Sequence, residues 1–390
     1  MPHFSATRAN LPAFPFEQEG VCFLYRAQSV LHAQIALIRV RVRGIKNYDF
    51  CLYQITQPQG YLFKAEKSTR PIPVGVLQQA LRVLACHCTL VRGNLGAHMY
   101  QESPYLLEGA QLACFETFHL EIGFGSGVHL LQKAQHNPKQ VYVGVEIHTP
   151  SIEQVLRQIE LLRLHNLYIM RADARALLEV LPAQSCLSLD LHFPVPWDKN
   201  PTRRVMATRT LAHILRVLVD KGLFWLRTDS LTYFKQSLDL VLELESCACK
   251  IAKNAPAPIS SKYETRWIKQ RREIYDLCVW ACHIQATTSI KNMCLETTTH
   301  VRGVPRNLDF VLKHRLVKGV DYFLHIQDVL EYAQLWILVL SLGDFGTPTN
   351  KVAVWNRESG VLEYVGGAPL NTQSNVLAHQ QLQEILVEAL

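Results

Sequence analysis

From Val21 to Phe63 the texture is strand-like, and Ile35 to Arg43 alternates apolar and basic residues, the period of a strand with one covered face. Within that stretch Val40 and Val42 alternate with Arg39, Arg41 and Arg43, which puts three arginines on one face of a strand. Pro71-Ile72-Pro73 breaks the alternation, and Val74 to Leu90 is predicted as an amphipathic helix. From about Leu112 to Cys282 the texture changes to short apolar runs alternating with helical segments, the pattern of parallel strands joined by crossover helices. The predicted strands are Phe118 to Ile122, Val141 to Ile147, Leu167 to Met170, Leu187 to Phe193, Leu223 to Arg227 and Ile274 to Ala281. After the second of these, Ile152, Val155, Leu156, Ile159 and Leu162 recur at helical spacing, with Ser151 and Gln154 as a capping-box pair just past Pro150. Beyond Cys282 strands return at Asp321 to Ile326, Leu335 to Leu342 and Val352 to Trp355, separated by turn residues such as Gly343-Asp344. The expected organisation is an α/β domain over 111–284 between two strand-rich extensions, a basic one over 1–110 and a separate one over 285–390.

Composition removes several classes. With 48% hydrophobic and 19% charged residues the chain reads as soluble globular protein. Its longest apolar run, Leu335 to Leu342, is far short of the ~20 residues that span a bilayer. Met1 to Phe16 lacks a charged segment followed by an apolar core, so no membrane association is expected and the cytoplasm is the expected location. The 11 cysteines form no CxxC pair, which argues against a disulfide framework and against a metal; the thiols are expected to be buried and inert. Residues 1–100 carry 11 Lys and Arg against 4 Asp and Glu, a local excess that suggests a polyanionic partner.

The chemistry concentrates in the α/β segment. Glu121-Ile122-Gly123-Phe124-Gly125-Ser126-Gly127 follows the first predicted strand and opens a helix, a turn in which absent side chains let the backbone approach a nucleotide. The second strand ends in Glu146, where such folds place a carboxylate on ribose hydroxyls, and Asp173 follows the third strand before a helix. Asp173 could be an ordinary helix cap, but three acidic or glycine-bearing strand ends in succession at one rim fit cofactor binding better. NAD enzymes share this arrangement. The GxGxG spacing and the leading Glu121, which would repel a pyrophosphate but suits a sulfonium and an amino group, favour S-adenosylmethionine. At the end of the fourth strand LDLHFPVPWDKNPTRR presents a rigid Pro-aromatic-Pro turn followed by Lys199, Arg203 and Arg204, which are placed to meet phosphates. Arg227-Thr228-Asp229 ends the fifth strand, and Ser261-Lys262-Tyr263-Glu264 precedes Arg266, Lys269, Arg271 and Arg272.

In order and spacing, LEIGFGSG, VGVEIHTP, HFPVPWDKNPTRR, RTDSLTYF and SKYE resemble the bacterial tRNA (guanine-N7-)-methyltransferases over roughly residues 117–282, and the flanking segments resemble the family's long form. The resemblance implies a class I, Rossmann-like S-adenosylmethionine methyltransferase domain whose substrate is tRNA, with guanosine 46 of the variable loop as target. It implies that Glu121, Gly123, Gly125, Glu146 and Asp173 bind the cofactor and that Lys199, Asp229, Ser261 and Glu264 contact the tRNA. Two positions depart from the family pattern: FPDPW is FPVPW here, so Val195 replaces an aspartate and no catalytic role transfers to it, and TxxE is SxxE. A methyltransferase for another RNA position or a small molecule, and a tRNA-binding relative without catalysis, are the alternatives.

Overall fold

The computed structural model describes residues 2–44, 46–96, 100, 102–256, 272–281, 293–296, 298–300 and 308–388. The chain divides into two compact units, one formed by Met1–Glu102 with Cys294–Leu390 and the other by Ser103–Met293.

The first unit is built on a 13-stranded sheet. One antiparallel meander runs through Val21–Ser29, Ile35–Val42, Tyr48–Gln57 and Gly60–Ala65. A second runs through Phe323–Tyr332, Leu335–Gly343, Pro348–Asn356 and Val361–Tyr364. The two extensions, separate along the sequence, are joined in this sheet: Leu330 pairs with Ser29 and Glu331 with Gln28, antiparallel. Helix Val74–Cys86 packs on the first meander through Val76, Leu77, Leu81 and Leu84. Helix Gln373–Glu388 packs on the second through Ala378, Leu382, Ile385 and Leu386. Arg39 does not stand on an open basic face as its alternation suggests. It is buried, its guanidinium grips both carboxylate oxygens of Asp49 at 2.9 and 2.7 Å, and it also pairs with Glu363. Arg41, half exposed, reaches the same Asp49 at 3.2 Å.

In the second unit we number the strands β1 (Phe118–Ile122), β2 (Tyr142–Glu146), β3 (Leu167–Arg171), β4 (Cys186–His192), β5 (Leu218–Thr228), β6 (Ala248–Lys253) and β7 (Tyr275–Trp280). The helices are α1 (Val128–His136), α2 (Thr149–Leu161), α3 (Ala174–Val180), α4 (Thr208–Val217) and α5 (Leu231–Leu242). The sheet order is β3-β2-β1-β4-β5-β7-β6, with a short strand, Leu106–Leu107, beside β3. Pairs from β3 through β5 are parallel, and β7 runs antiparallel between β5 and β6. The order reverses between β1 and β4, and at such a switch point the strand ends leave a crevice for a ligand. Both faces of β1, β2 and β4 are covered, so even the polar residues that alternate with apolar ones in FHLEI and CLSLDLH, Glu121, Ser188 and Asp190, are buried. Strand β6 is the exception: ACKIAK is almost wholly exposed at the sheet edge and carries no apolar pattern. The start of α2 also differs from expectation. It begins at Thr149 with Pro150 in the first turn, so Ser151 is helical and bonds the His148 ring at 2.9 Å instead of capping. Among the cysteines, Cys51 and Cys186 are buried as expected, whereas Cys86, Cys114 and Cys249 are exposed. Among the described residues no helix is long and apolar enough to cross a membrane.

Candidate active site

The turn leaving β1 is shaped by glycine. Gly123, Gly125 and Gly127 adopt φ of 69°, 53° and 71°, the left-handed region that side-chain-bearing residues avoid. A Cβ on Gly127 would stand 2.4 Å from a Val155 methyl, so this glycine lets α2 close on the start of α1. At Gly123 a Cβ would meet no atom within 4 Å, which leaves the backbone there bare above the end of β1.

Around this turn the structure places Glu146, Asp173 and Asp229 at or just past the carboxyl ends of their strands, with Glu121 one residue before the end of β1. Glu146 ends β2 and is bound by three main-chain amides: Gly125 donates to Oε2 at 3.2 Å, and Ile147 and His148 donate to Oε1 at 2.7 and 3.0 Å. This carboxylate therefore fixes the glycine turn against β2. Asp173 caps α3 by accepting from the amide of Arg175 at 2.9 Å, and the same arginine's guanidinium takes both its oxygens. Asp229 follows β5 and pairs with Arg272 at 2.9 Å. Glu121 is buried beneath the turn, its Oε2 2.8 Å from Nδ1 of His129 on α1.

Beneath the rim lies a polar layer that the sequence did not announce. Lys133, one turn after His129 on α1, donates to the buried Asp190 of β4 at 2.5 Å. Burial pushes the Glu121 carboxyl up, against the pull of His129. Burial also works against the charged His129 ring, but its hydrogen bond to Glu121 and the charges of Glu121 and Asp190 together hold its pKa above the ordinary value. Asp190 is held down by Lys133 despite its burial. The His192 ring lies tilted 4.5 Å from that of His129 and edge-on to Trp225, and burial drives its pKa down to about 3. Arg227 grips Asp276 of β7 at 2.7 and 2.6 Å, and Trp225 donates to the same carboxylate at 2.8 Å. Ligand-type atoms of Glu121, His129 and Asp190 lie within 4.8 Å of one another. Lys133 and His129 supply positive charge in that cluster, which is therefore balanced by protein side chains.

After β4 the chain makes a stiff loop, with Phe193 and Trp197 at φ of 48° and 45° and the Phe193 amide tied to the Arg227 carbonyl at 2.7 Å. Val195 is 61% exposed at its crest, and Lys199 and Arg203 are exposed beyond it, with the Arg203 guanidinium 5.2 Å over the Trp197 ring. Arg204 behaves differently from its neighbour. It is 3% exposed, and its guanidinium donates to the Pro196 carbonyl at 2.6 Å, to Asp198 at 3.1 Å and to Gln236, while lying over Tyr233. The phosphate contact expected of it is corrected: an enclosed guanidinium braces the loop and has no face left for RNA.

A family model described as a putative methyltransferase matches residues 116–277. A tRNA (guanine-N(7)-)-methyltransferase of Helicobacter hepaticus is 37% identical over 100% of both chains. Proteins of the same name are 36% identical in Wolinella succinogenes, over 99% of this chain and 100% of that one, and 31% identical in Campylobacter jejuni, over 99% and 98%. The chain belongs to the tRNA (guanine-N(7)-)-methyltransferase family. As a tRNA (guanine-N(7)-)-methyltransferase family member it brings Gly123, Gly125, Glu146, Asp173, Val195 and Asp229 to successive strand ends of one sheet, with Lys199 and Arg203 on the loop after β4. Ser261 and Glu264, also expected at the family's site, lie outside the described residues. Sequence reading missed His129 and Lys133. Their one signal is spacing: polar residues one helical turn apart directly after the glycine turn, on a helix that must lay a face on the sheet.

Proposed function

We propose that this chain transfers a methyl group from S-adenosylmethionine to N7 of a guanine in tRNA, with guanosine 46 of the variable loop as the target. The observation that carries the reading is 37% identity along the whole length of a protein bearing that name, together with the glycine turn and acids at the strand ends. Acting on tRNA, the enzyme works in the cytoplasm.

The residues fit the cofactor. The bare backbone at Gly123 offers room for close approach, and Glu146, fixed by three amides, offers a carboxylate for ribose hydroxyls. Glu121 and Asp173 flank this position, and Gly125 completes the turn. When bound, S-adenosylmethionine supplies an electrophilic methyl group.

Guanine N7 carries a free lone pair and no proton in the neutral base, so no general base is needed. The protein's task is orientation, which supplies several kcal/mol when reacting atoms are held about 3 Å apart. Lys199 and Arg203, exposed on the loop after β4, serve the tRNA backbone, and Asp229 accepts from the guanine's Watson-Crick edge, with Ser261 and Glu264 completing the substrate side. The experiment is direct. Purified protein, labelled S-adenosylmethionine and unmodified tRNA should yield 7-methylguanosine on nucleoside analysis. Label in another nucleoside would support methylation elsewhere, and binding without transfer would support the non-catalytic alternative.

A further inference from the structure

The two extensions share more than a sheet. Each has four antiparallel strands followed by a Pro-containing connection and a helix: Val21 through Cys86 in one and Phe323 through Glu388 in the other. Each first strand carries a register shift, between Phe23 and Tyr25 in one and between Ile326 and Asp328 in the other. Matching those shifts makes Gln28 the counterpart of Glu331, and these two residues pair directly across the junction. The same match relates Tyr25 to Asp328 and Ser29 to Tyr332. The Tyr25–Tyr332 ring stack, 5.2 Å between centroids, and the Ser29 to Asp328 hydrogen bond, 2.7 Å, are thus one contact seen from its two ends. Ala27 and Leu330 then pair with Leu37 and Ile337 at matching places. A two-fold arrangement of this kind is that of two copies of one unit paired about their first strands.

The copies have diverged in charge. Residues 21–86 hold nine Lys and Arg against two Asp and Glu, whereas residues 323–388 hold two against seven. The difference gathers at one end. In the first copy the link between the second and third strands holds Arg43 and Lys46, next to Arg41, and the segment after the fourth strand holds Lys67 and Arg70. That segment is tied to the third strand by Cys51 donating to Thr69 at 3.0 Å and Glu66 donating to the Cys51 carbonyl at 2.9 Å. The acids there are engaged: Asp49 by Arg39 and Arg41, Glu66 by Ser68 and Thr69, and Glu102 by the Lys46 amide. The matching link in the second copy is Asp344-Phe345-Gly346-Thr347, and its segment after the fourth strand, residues 365–372, has no charge.

We propose that the first copy is a phosphate-binding module that grips the tRNA backbone through Arg41, Arg43 and Lys67, which are exposed at this end. The second copy serves as its acidic structural counterpart. This rests on the tRNA reading above, since tRNA is the polyanion the chain would meet.

Full-length protein carrying Arg41→Gln, Arg43→Gln and Lys67→Gln should bind unmodified tRNA about tenfold more weakly, and the slope of log affinity against log salt should flatten by about 2. Turnover at saturating tRNA and affinity for S-adenosylmethionine should stay at wild-type values. Because Arg41 holds Asp49, a second variant keeps it and replaces Arg43 and Lys67 alone, with an expected flattening of about 1.5. Replacing Lys351 and Arg357 of the second copy should leave the slope unchanged. Wild-type slopes in both first-copy variants would overturn the proposal even if the enzyme methylates tRNA. Flattened slopes in these variants, alongside a wild type that transfers no methyl group, would keep the binding module and overturn the catalytic reading instead.

Discussion

Arg204→Lys separates two roles that a basic residue can play here. Lysine keeps the charge and loses the fork. The wild-type guanidinium makes hydrogen bonds to Pro196, Asp198 and Gln236 and lies 5.3 Å over Tyr233, while the residue is 3% exposed. An ammonium can satisfy one of these partners. Hydrogen bonds to a charged group contribute about 1.5–3 kcal/mol each, but the one to Asp198 counts for less because that carboxylate is 67% exposed. The net loss should be about 3 kcal/mol. For a domain of the size of Ser103–Met293, ~1 kcal/mol moves Tm by roughly 2–4 °C, so thermal unfolding should start about 6–12 °C lower. The loop after β4 would lose its tie at Pro196, and a misplacement near 1 Å costs on the order of a hundredfold in rate. In assays with labelled S-adenosylmethionine, kcat/KM for tRNA should fall ten- to a hundredfold, while calorimetry shows cofactor affinity within about twofold of wild type. Wild-type Tm and turnover in Arg204→Lys would refute the brace and restore a role in which only the positive charge counts.

Glu146→Gln should weaken S-adenosylmethionine binding about ten- to a hundredfold by calorimetry, because a charged acceptor becomes a neutral amide whose NH2 can face the Gly125 donor; unchanged affinity would remove Glu146 from the cofactor site. Wild-type protein should methylate tRNA despite Val195, and Val195→Asp, a change at a 61% exposed crest, should alter turnover by no more than about a hundredfold; an inactive wild type rescued by this substitution would sink that expectation. Burial drives His192 down to about 3, so below its unfolded value near 6.5 the unfolded chain binds a proton that the folded chain refuses. The stability this ring contributes is present above about pH 6.5 and is lost as pH falls toward 3. Urea midpoints of wild type should therefore drop across that window more steeply than those of His192→Asn, and parallel curves would show that His192 does not titrate this way.

Legibility in the sequence followed how each element is buried. Strands with both faces covered announced themselves, and β1 spans the residues expected of it. The edge strand β6 and helix Gln373–Glu388 did not. The former is exposed, and the first half of the latter buries Ser374, Asn375 and His379 ahead of Leu382, Ile385 and Leu386, so only the second half of its inward face reads as apolar. The joining of the two extensions rests on Gln28 pairing with Glu331, a contact across the length of the chain that no local pattern encodes. Arg203 and Arg204 show the same limit at a single residue. Their chemistry is identical in sequence, and what separates them is that Tyr233 and Gln236, three positions apart on α5, receive one and not the other.

Charge balance around the strand ends bears on how Val195 can stand where the FPDPW pattern that this segment resembles has an acid. Among the described residues, five acids at or beneath this rim are matched by a cationic partner: Glu121 by His129, Asp173 by Arg175, Asp190 by Lys133, Asp229 by Arg272 and Asp276 by Arg227. Glu146 is held differently, by the amides of Gly125, Ile147 and His148. Amides orient a carboxylate without cancelling its unit charge, whereas a cation within 3 Å removes most of the field that the acid projects toward a ligand. A sulfonium brought to the glycine turn would therefore feel Glu146 more than the paired acids. Methyl transfer moves that positive charge onto the base instead of creating a new one, so a field from a fixed carboxylate helps only by the difference between the two positions. An aspartate at the crest of the loop would add to that difference from an exposed site, where water screens it. Its absence is then a modest loss, and neutralising Glu146 should cost more than restoring an acid at Val195 gains.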